Sequence, residues 1–226
     1  MHEARRERSR GHGHGAATAA AVPSFLCAPT GDIEQLRAGD VAMAGLFLDH
    51  GDPAGHGKRF AARQVRYACA LERIRASVRC MDLGDLNVFP LEPARQEEAL
   101  RRQVAAIAAT GAVPVLVGGR RLALPLGAYA GAAATVEPSQ DPAGWPSAGP
   151  LAVVVDIAPS LAPMAPPRSL AALRAAIRAM PARRVVAVHV TGVAPGLDLD
   201  GRRDASVAAR VLQVVADHVG GGTSCP

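Results

Sequence analysis

"PVLVGGRRLALPLG" (114–127) decides how this chain is expected to fold. The apolar run Pro114-Val115-Leu116-Val117 enters two glycines, as a buried parallel strand does where it turns sharply into a helix. In open α/β sheets that turn, at the carboxyl end of a strand, is where ligands and chemistry sit. Here it carries Arg120 and Arg121 and no carboxylate, histidine, serine or cysteine. The turn is therefore placed for chemistry but lacks the residues that usually perform it.

Outward from this stretch the chain alternates between two textures. Apolar segments of strand length lie at 41–48, 112–119, 151–158 and 184–193, and 78–88 supplies a second short strand and a loop. Between them, helical spacing predicts helices over 60–77, 92–111, 168–180 and 203–221, with Ser169 capping the third and Gly111 stopping the second. In the first helix Phe60, Tyr67, Leu71 and Ile74 share a face, interrupted by Gln64, and read as its core side. The stretch 135–150 is rich in Pro, Gly and Ser and reads as loop. Strands alternating with helices predict a three-layer α/β/α domain around a mostly parallel sheet. The domain is expected over 23–221, after a basic His/Gly-rich tail (1–22) and before a flexible end (222–226).

Composition narrows the class. Half of the 226 residues are apolar, yet only 3% are aromatic, so Ala, Val and Leu must build the core. The net charge of +5 is inflated by four arginines in the first ten residues, and no basic cluster is interleaved with aromatics, which argues against nucleic acid. No apolar run approaches a membrane span. Cys27, Cys69, Cys80 and Cys225 show no CxxC spacing and read as free thiols of a reducing cytoplasm. His2, His12 and His14, separated by glycine or by a longer tail segment, read as flexible chain, not as a metal site.

Taken in order, the segments resemble the ureohydrolase superfamily, the arginase and agmatinase family, over 23–220. "GLFLDHG" (45–51) is similar to the family's Gly-x-Pro-x-Asp-x-Gly loop, keeping Gly45, Asp49 and Gly51. "GKRFAARQVR" (57–66) keeps Gly57, Arg59, Phe60 and Arg66 of Gly-x-Arg-Phe-Gly-Pro-x-x-Ile-Arg, and "DLGDLNV" (82–88) keeps Asp82, Gly84 and Asp85 of Asp-x-Gly-Asp. "GAVPVLVGG" (111–119) resembles the strand before Gly-Gly-Asp-His, and the 191–213 stretch keeps Pro195 and Asp198 of the terminal loop. The resemblance implies two manganese ions, bridged by carboxylates and histidines, whose bound water attacks a guanidinium carbon.

The motifs that would hold those ions are the ones that differ. Gly-Gly-Asp-His is Gly118-Gly119-Arg120-Arg121, Ser-x-Asp-x-Asp keeps only Asp156, and the glutamate before the final Asn-Pro is Gly192. The Asp-Ala-His-x-Asp motif has no counterpart, its place being taken by the 135–150 loop. Hard divalent ions need anionic oxygen or imidazole ligands, so no catalytic or metal residue is expected and no cofactor, manganese entering only if a reduced site remains. Arg120 and Arg121 are read either as solvated remnants or, with Gly118 and Gly119, as a cradle for a small carboxylate or phosphate. His50 and His189 near strand ends read as ordinary strand histidines, and Ser160, Thr191 and Cys80 have no triad spacing.

Two functions follow from the resemblance. One is a non-catalytic ureohydrolase-like protein, a structural or regulatory partner of itself or of an active relative. The other is a hydrolase of guanidino or amidino C–N bonds with a reduced metal site. With nothing but loop between 131 and 150, the sheet is expected to be truncated to five strands, leaving 151–157 as an apolar edge that a loop or another copy must cover.

Overall fold

The computed structural model describes residues 23–47, 58–86, 92–119, 126–138, 144–157, 170–193 and 203–220. The tail 1–22 and the end 222–226 lie outside them. Six strands form one sheet: β1 (Val41–Leu46), β2 (Cys80–Asp85), β3 (Val113–Gly118), β4 (Ala134–Val136), β5 (Leu151–Asp156) and β6 (Val185–Thr191). Their order is β2-β1-β3-β6-β5-β4, and every pairing is parallel. The helices are α1 (Ala61–Glu72), α2 (Pro93–Ala109), α3 (Leu126–Tyr129), α4 (Leu170–Ala179) and α5 (Arg203–Gly220).

The three-layer expectation holds, and the continuous apolar strands explain why. Successive side chains of a strand point to opposite faces. Val41 and Met43 join one core with α1, α4 and α5, whereas Ala42, Ala44 and Leu46 join the other with α2 and α3. In β3 the same division puts Val115 and Val117 on one face and Leu116 on the other. A sheet wetted on neither side needs no polar alternation. Phe25 is the single buried aromatic among the described residues.

Two expectations fail. The first is the five-stranded sheet. Ala134–Val136 forms a sixth strand inside what reads as loop, with Ala134, Thr135 and Val136 opposite Leu151, Ala152 and Val153. Only three residues long and followed at once by Glu137-Pro138, it is too short to show an alternation of its own. β5 is therefore interior over its first half, and the sheet ends on a strand blunted by brevity.

The second failure is the buried face of α1. Ala61, Ala62, Val65, Ala68 and Cys69 point inward, and Phe60, Tyr67 and Leu71 point out. Across from α1, α5 presents Ala205, Ala208 and Ala209 to the same core. Facing alanines let the two helices approach closely, and that spacing admits only small side chains. Large apolar residues at helical spacing were mistaken for the core side.

Val153 is fully buried in the interior of the sheet. Val153→Lys places an unpaired ammonium there and should cost about 3 kcal/mol or more, whereas the half-buried Val154 should accept lysine at much lower cost. Urea denaturation of both variants checks this. Equal stability of the two would contradict the six-stranded arrangement.

Candidate functional site

The carboxyl ends of β3, β5 and β6 meet at the double-glycine turn. Gly118 has φ +102° and Gly119 φ +67°, a region that L side chains rarely adopt. A Cβ on Gly118 would also press to 3.0 Å from the Leu46 carbonyl oxygen. The two turn carbonyls are both taken from β6. His189 Nε2 lies 2.8 Å from Gly118 O, and Thr191 Oγ1 donates to Gly119 O at 2.8 Å. A carbonyl can only accept, so His189 carries a proton on Nε2 and donates it. Sequence spacing alone left both side chains without a role, since strands that pair across more than 60 residues share no local signal.

Burial holds the His189 imidazole below its ordinary range, against the opposing pull of the Gly118 bond and the Asp156 carboxylate. Asp156 closes β5 opposite Thr191, and Ile157 N donates to Thr191 O at 2.9 Å. Glu137 immediately follows β4 on the same edge of the sheet.

A second cluster sits at the far end of the same edge. The guanidinium of Arg66 on α1 grips Asp82 of β2 with two bonds, Nε to Oδ2 at 2.8 Å and NH2 to Oδ1 at 2.9 Å. Its NH1 reaches Asp85 Oδ1 at 2.6 Å, and its plane lies 4.1 Å from the Phe25 ring centroid. Asp82 is 1% exposed and also accepts from Phe25 N at 2.8 Å and Gly84 N at 2.9 Å. Gly45 is the partner that makes room, because a Cβ there would overlap the Asp85 carboxylate. The retained motif residues Gly45, Arg66, Asp82, Gly84 and Asp85 are thus one interlocked group, and Phe25 is the member that sequence reading missed. Arg59 packs over the Phe60 ring at 4.9 Å, apart from that group.

Several expected site residues, Asp49, His50, Gly51, Gly57, Arg120, Arg121, Ser160, Ser169, Pro195 and Asp198, lie outside the described residues. Cys27, Cys69 and Cys80 are free thiols. Burial pushes Cys69 and Cys80 up to about 12, which leaves both protonated and poor nucleophiles.

Residues 39–144 match the model of the Arginase family. The chain resembles that family over just under half of its length. Its fold is similar to that of proclavaminate amidino hydrolase from Streptomyces clavuligerus, at 17% identity and TM-score 0.66, over 89% of this chain and 98% of the other. A hypothetical agmatinase from Burkholderia thailandensis gives 17% and 0.69 over 91% and 93%. A formiminoglutamase from Trypanosoma cruzi, solved with manganese, gives 14% and 0.63 over 91% and 98%. At these identities the likeness speaks for the fold.

Among the described residues the side chains do not fit a pair of manganese ions. At the double-glycine turn the two motif ligands are arginines, and β6 spends its histidine and threonine on the turn itself. Glu137 and Asp156 supply carboxylates at adjacent strand ends, but among the described residues no group of three or more His, Cys, Asp or Glu side chains gathers. An arginine beside a divalent ion at short range costs roughly several kcal/mol.

Two outcomes test this geometry. A histidine with a depressed folded pKa resists protonation that the unfolded chain accepts near pH 6.5, so stability falls as pH drops through that region. His189→Asn keeps a donor for Gly118 O without titrating, and its melting temperature should fall less between about pH 7 and pH 5. A parallel decline in both proteins would remove His189 as the titrating group. Asp82→Ala leaves Arg66 partly unpaired and should cost about 3 kcal/mol or more in chemical denaturation. A loss below about 1 kcal/mol would show the cluster to be peripheral.

Proposed function

We propose that this chain is a non-catalytic member of the arginase family that acts as a binding or regulatory partner, of a second copy or of an active ureohydrolase. The carrying observation is the double-glycine turn. In the family motif it leads into an aspartate and a histidine, and here it leads into Arg120-Arg121 while His189 and Thr191 hold its carbonyls. Among the described residues no cluster of anionic or imidazole donors gathers to polarise a water against a guanidinium carbon. The scaffold around Arg66 and Asp82 is kept intact, as selection for a folded binding surface requires.

A second reading is favoured by Glu137 and Asp156, two carboxylates on neighbouring strands. In that reading a single ion and a reduced site retain hydrolysis of guanidino or amidino C–N bonds. One experiment separates the two. Purified protein is incubated with manganese, desalted, analysed for metal and assayed with arginine, agmatine and formiminoglutamate. Well under one ion per chain and no urea or formamide release are expected. One or more tightly retained ions per chain, or turnover lost in Asp156→Asn, would establish the hydrolase reading.

A further inference from the structure

Among the described residues four large apolar side chains are markedly exposed: Phe47 38%, Phe60 39%, Tyr67 39% and Leu71 66%. They form one stripe. Phe60, Tyr67 and Leu71 recur at helical spacing along the outer face of α1, and Phe47 meets Phe60 edge-to-face with ring centroids 6.0 Å apart. Beside the stripe, a groove of about 290 Å³ runs between α1 and α5, bordered by Gln64, Tyr67, Ala68, Leu71 and Glu72 on one side and Ala205 and Ser206 on the other, with Glu72 paired to Arg210. In a chain with only seven aromatic residues, three on one exposed face is a concentration that core packing does not explain.

The charge around this stripe is one-sided. Residues 58–75 hold six cations (Lys58, Arg59, Arg63, Arg66, Arg73 and Arg75) and one anion, Glu72, which gives a formal +5, equal to the net charge of the whole chain. Arg66 is spent on Asp82 and Asp85, and Glu72 is neutralised by Arg210 at 2.6 Å. Arg59 and Arg63 lie over the rings of Phe60 and Tyr67, at 4.9 and 5.6 Å, and so frame the stripe itself. Arg73 and Arg75 are partly or fully exposed beyond its end.

We infer that this face is a docking site for an acidic amphipathic helix of a partner protein. Anchors seven and four residues apart, on one helix face beside a groove, suit helix-in-groove recognition, and the basic frame selects glutamate- or aspartate-rich flanks. Two copies meeting through this face about a two-fold axis would set arginine against arginine. The tail 1–22 carries four arginines against two glutamates, the wrong sign as well. A lipid surface is flat and cannot fill the groove, and the inner face of α1 is locked in the core, so the helix cannot sink into a headgroup layer. The inference rests on the partner role proposed above and says where the partner binds.

The probe is a synthetic helical peptide with leucine at every third and fourth position and glutamate elsewhere, titrated against the full chain by fluorescence anisotropy. It should bind with an affinity that falls as salt rises. Tyr67→Ala with Leu71→Asp, and separately Arg63→Glu with Arg75→Glu, should each weaken binding about tenfold or more. These side chains are exposed, and an unchanged melting temperature certifies that the variants fold. The same peptide with lysine in place of glutamate should not bind. Failure of the glutamate peptide to bind, or binding indifferent to both double variants, overturns the inference. A wild-type dimer that Leu71→Asp converts to monomer assigns the face to a second copy instead, and co-sedimentation with phosphatidylglycerol vesicles lost in that variant assigns it to lipid. The manganese and turnover measurements report on the catalytic question separately, so the two readings can fail independently.

Discussion

The grip of Arg66 on Asp82 joins three parts of the molecule through one buried side-chain pair. Arg66 comes from α1 and Asp82 from β2, and Phe25, which stacks on the guanidinium, comes from the turn before the first strand. A carboxylate this deeply buried is tolerable only because its oxygens accept from the guanidinium and from two backbone N–H groups. The planar fork of arginine is what allows one side chain to bind two oxygens and still lie flat on a ring, and lysine offers neither. Gly45 completes the arrangement by leaving space for Asp85, so a strand glycine and a helix arginine belong to one packing unit.

This unit and the double-glycine turn occupy opposite halves of the same sheet edge, and the chain has treated them differently. The structural half keeps every charged partner. At the turn both glycines have positive φ and both carbonyls are anchored, and two arginines follow in the sequence. Backbone geometry at the turn is held by the His189 and Thr191 bonds from β6, which do not depend on a ligand. A site can therefore exchange its chemistry without disturbing the fold that presents it.

The fold was legible wherever an element was long and buried on both faces. β1, β3, β5 and β6 read as uninterrupted apolar runs because solvent touches neither side, and α2 and α5 ended where their periodicity did, to within two residues. β4 was missed because three residues show no pattern, and Glu137 was missed with it. The reversed face of α1 was illegible for another reason. Periodicity locates the large apolar residues of a helix but says nothing of how much room its neighbour leaves, and α5 leaves room for alanine. At the candidate site the loss of ligand types was plain in Arg120 and Arg121, whereas the roles of His189 and Thr191 appeared only once β3 and β6 lay side by side.

The strand order has a consequence for how the chain comes to be folded at all. β2, β1 and β3 are neighbours, and all three are complete by Gly118, so the first half of the sheet can assemble during synthesis. The partner on the open side of β3 is β6, whose residues Val185–Thr191 are made only after β4 and β5. Until they emerge, the nascent chain presents the apolar strand Val113–Gly118 as a bare edge, the kind of template that recruits foreign strands. Such non-local pairing is also slow to find. The central seam of the finished sheet is thus the point at which a growing chain is most in need of shelter.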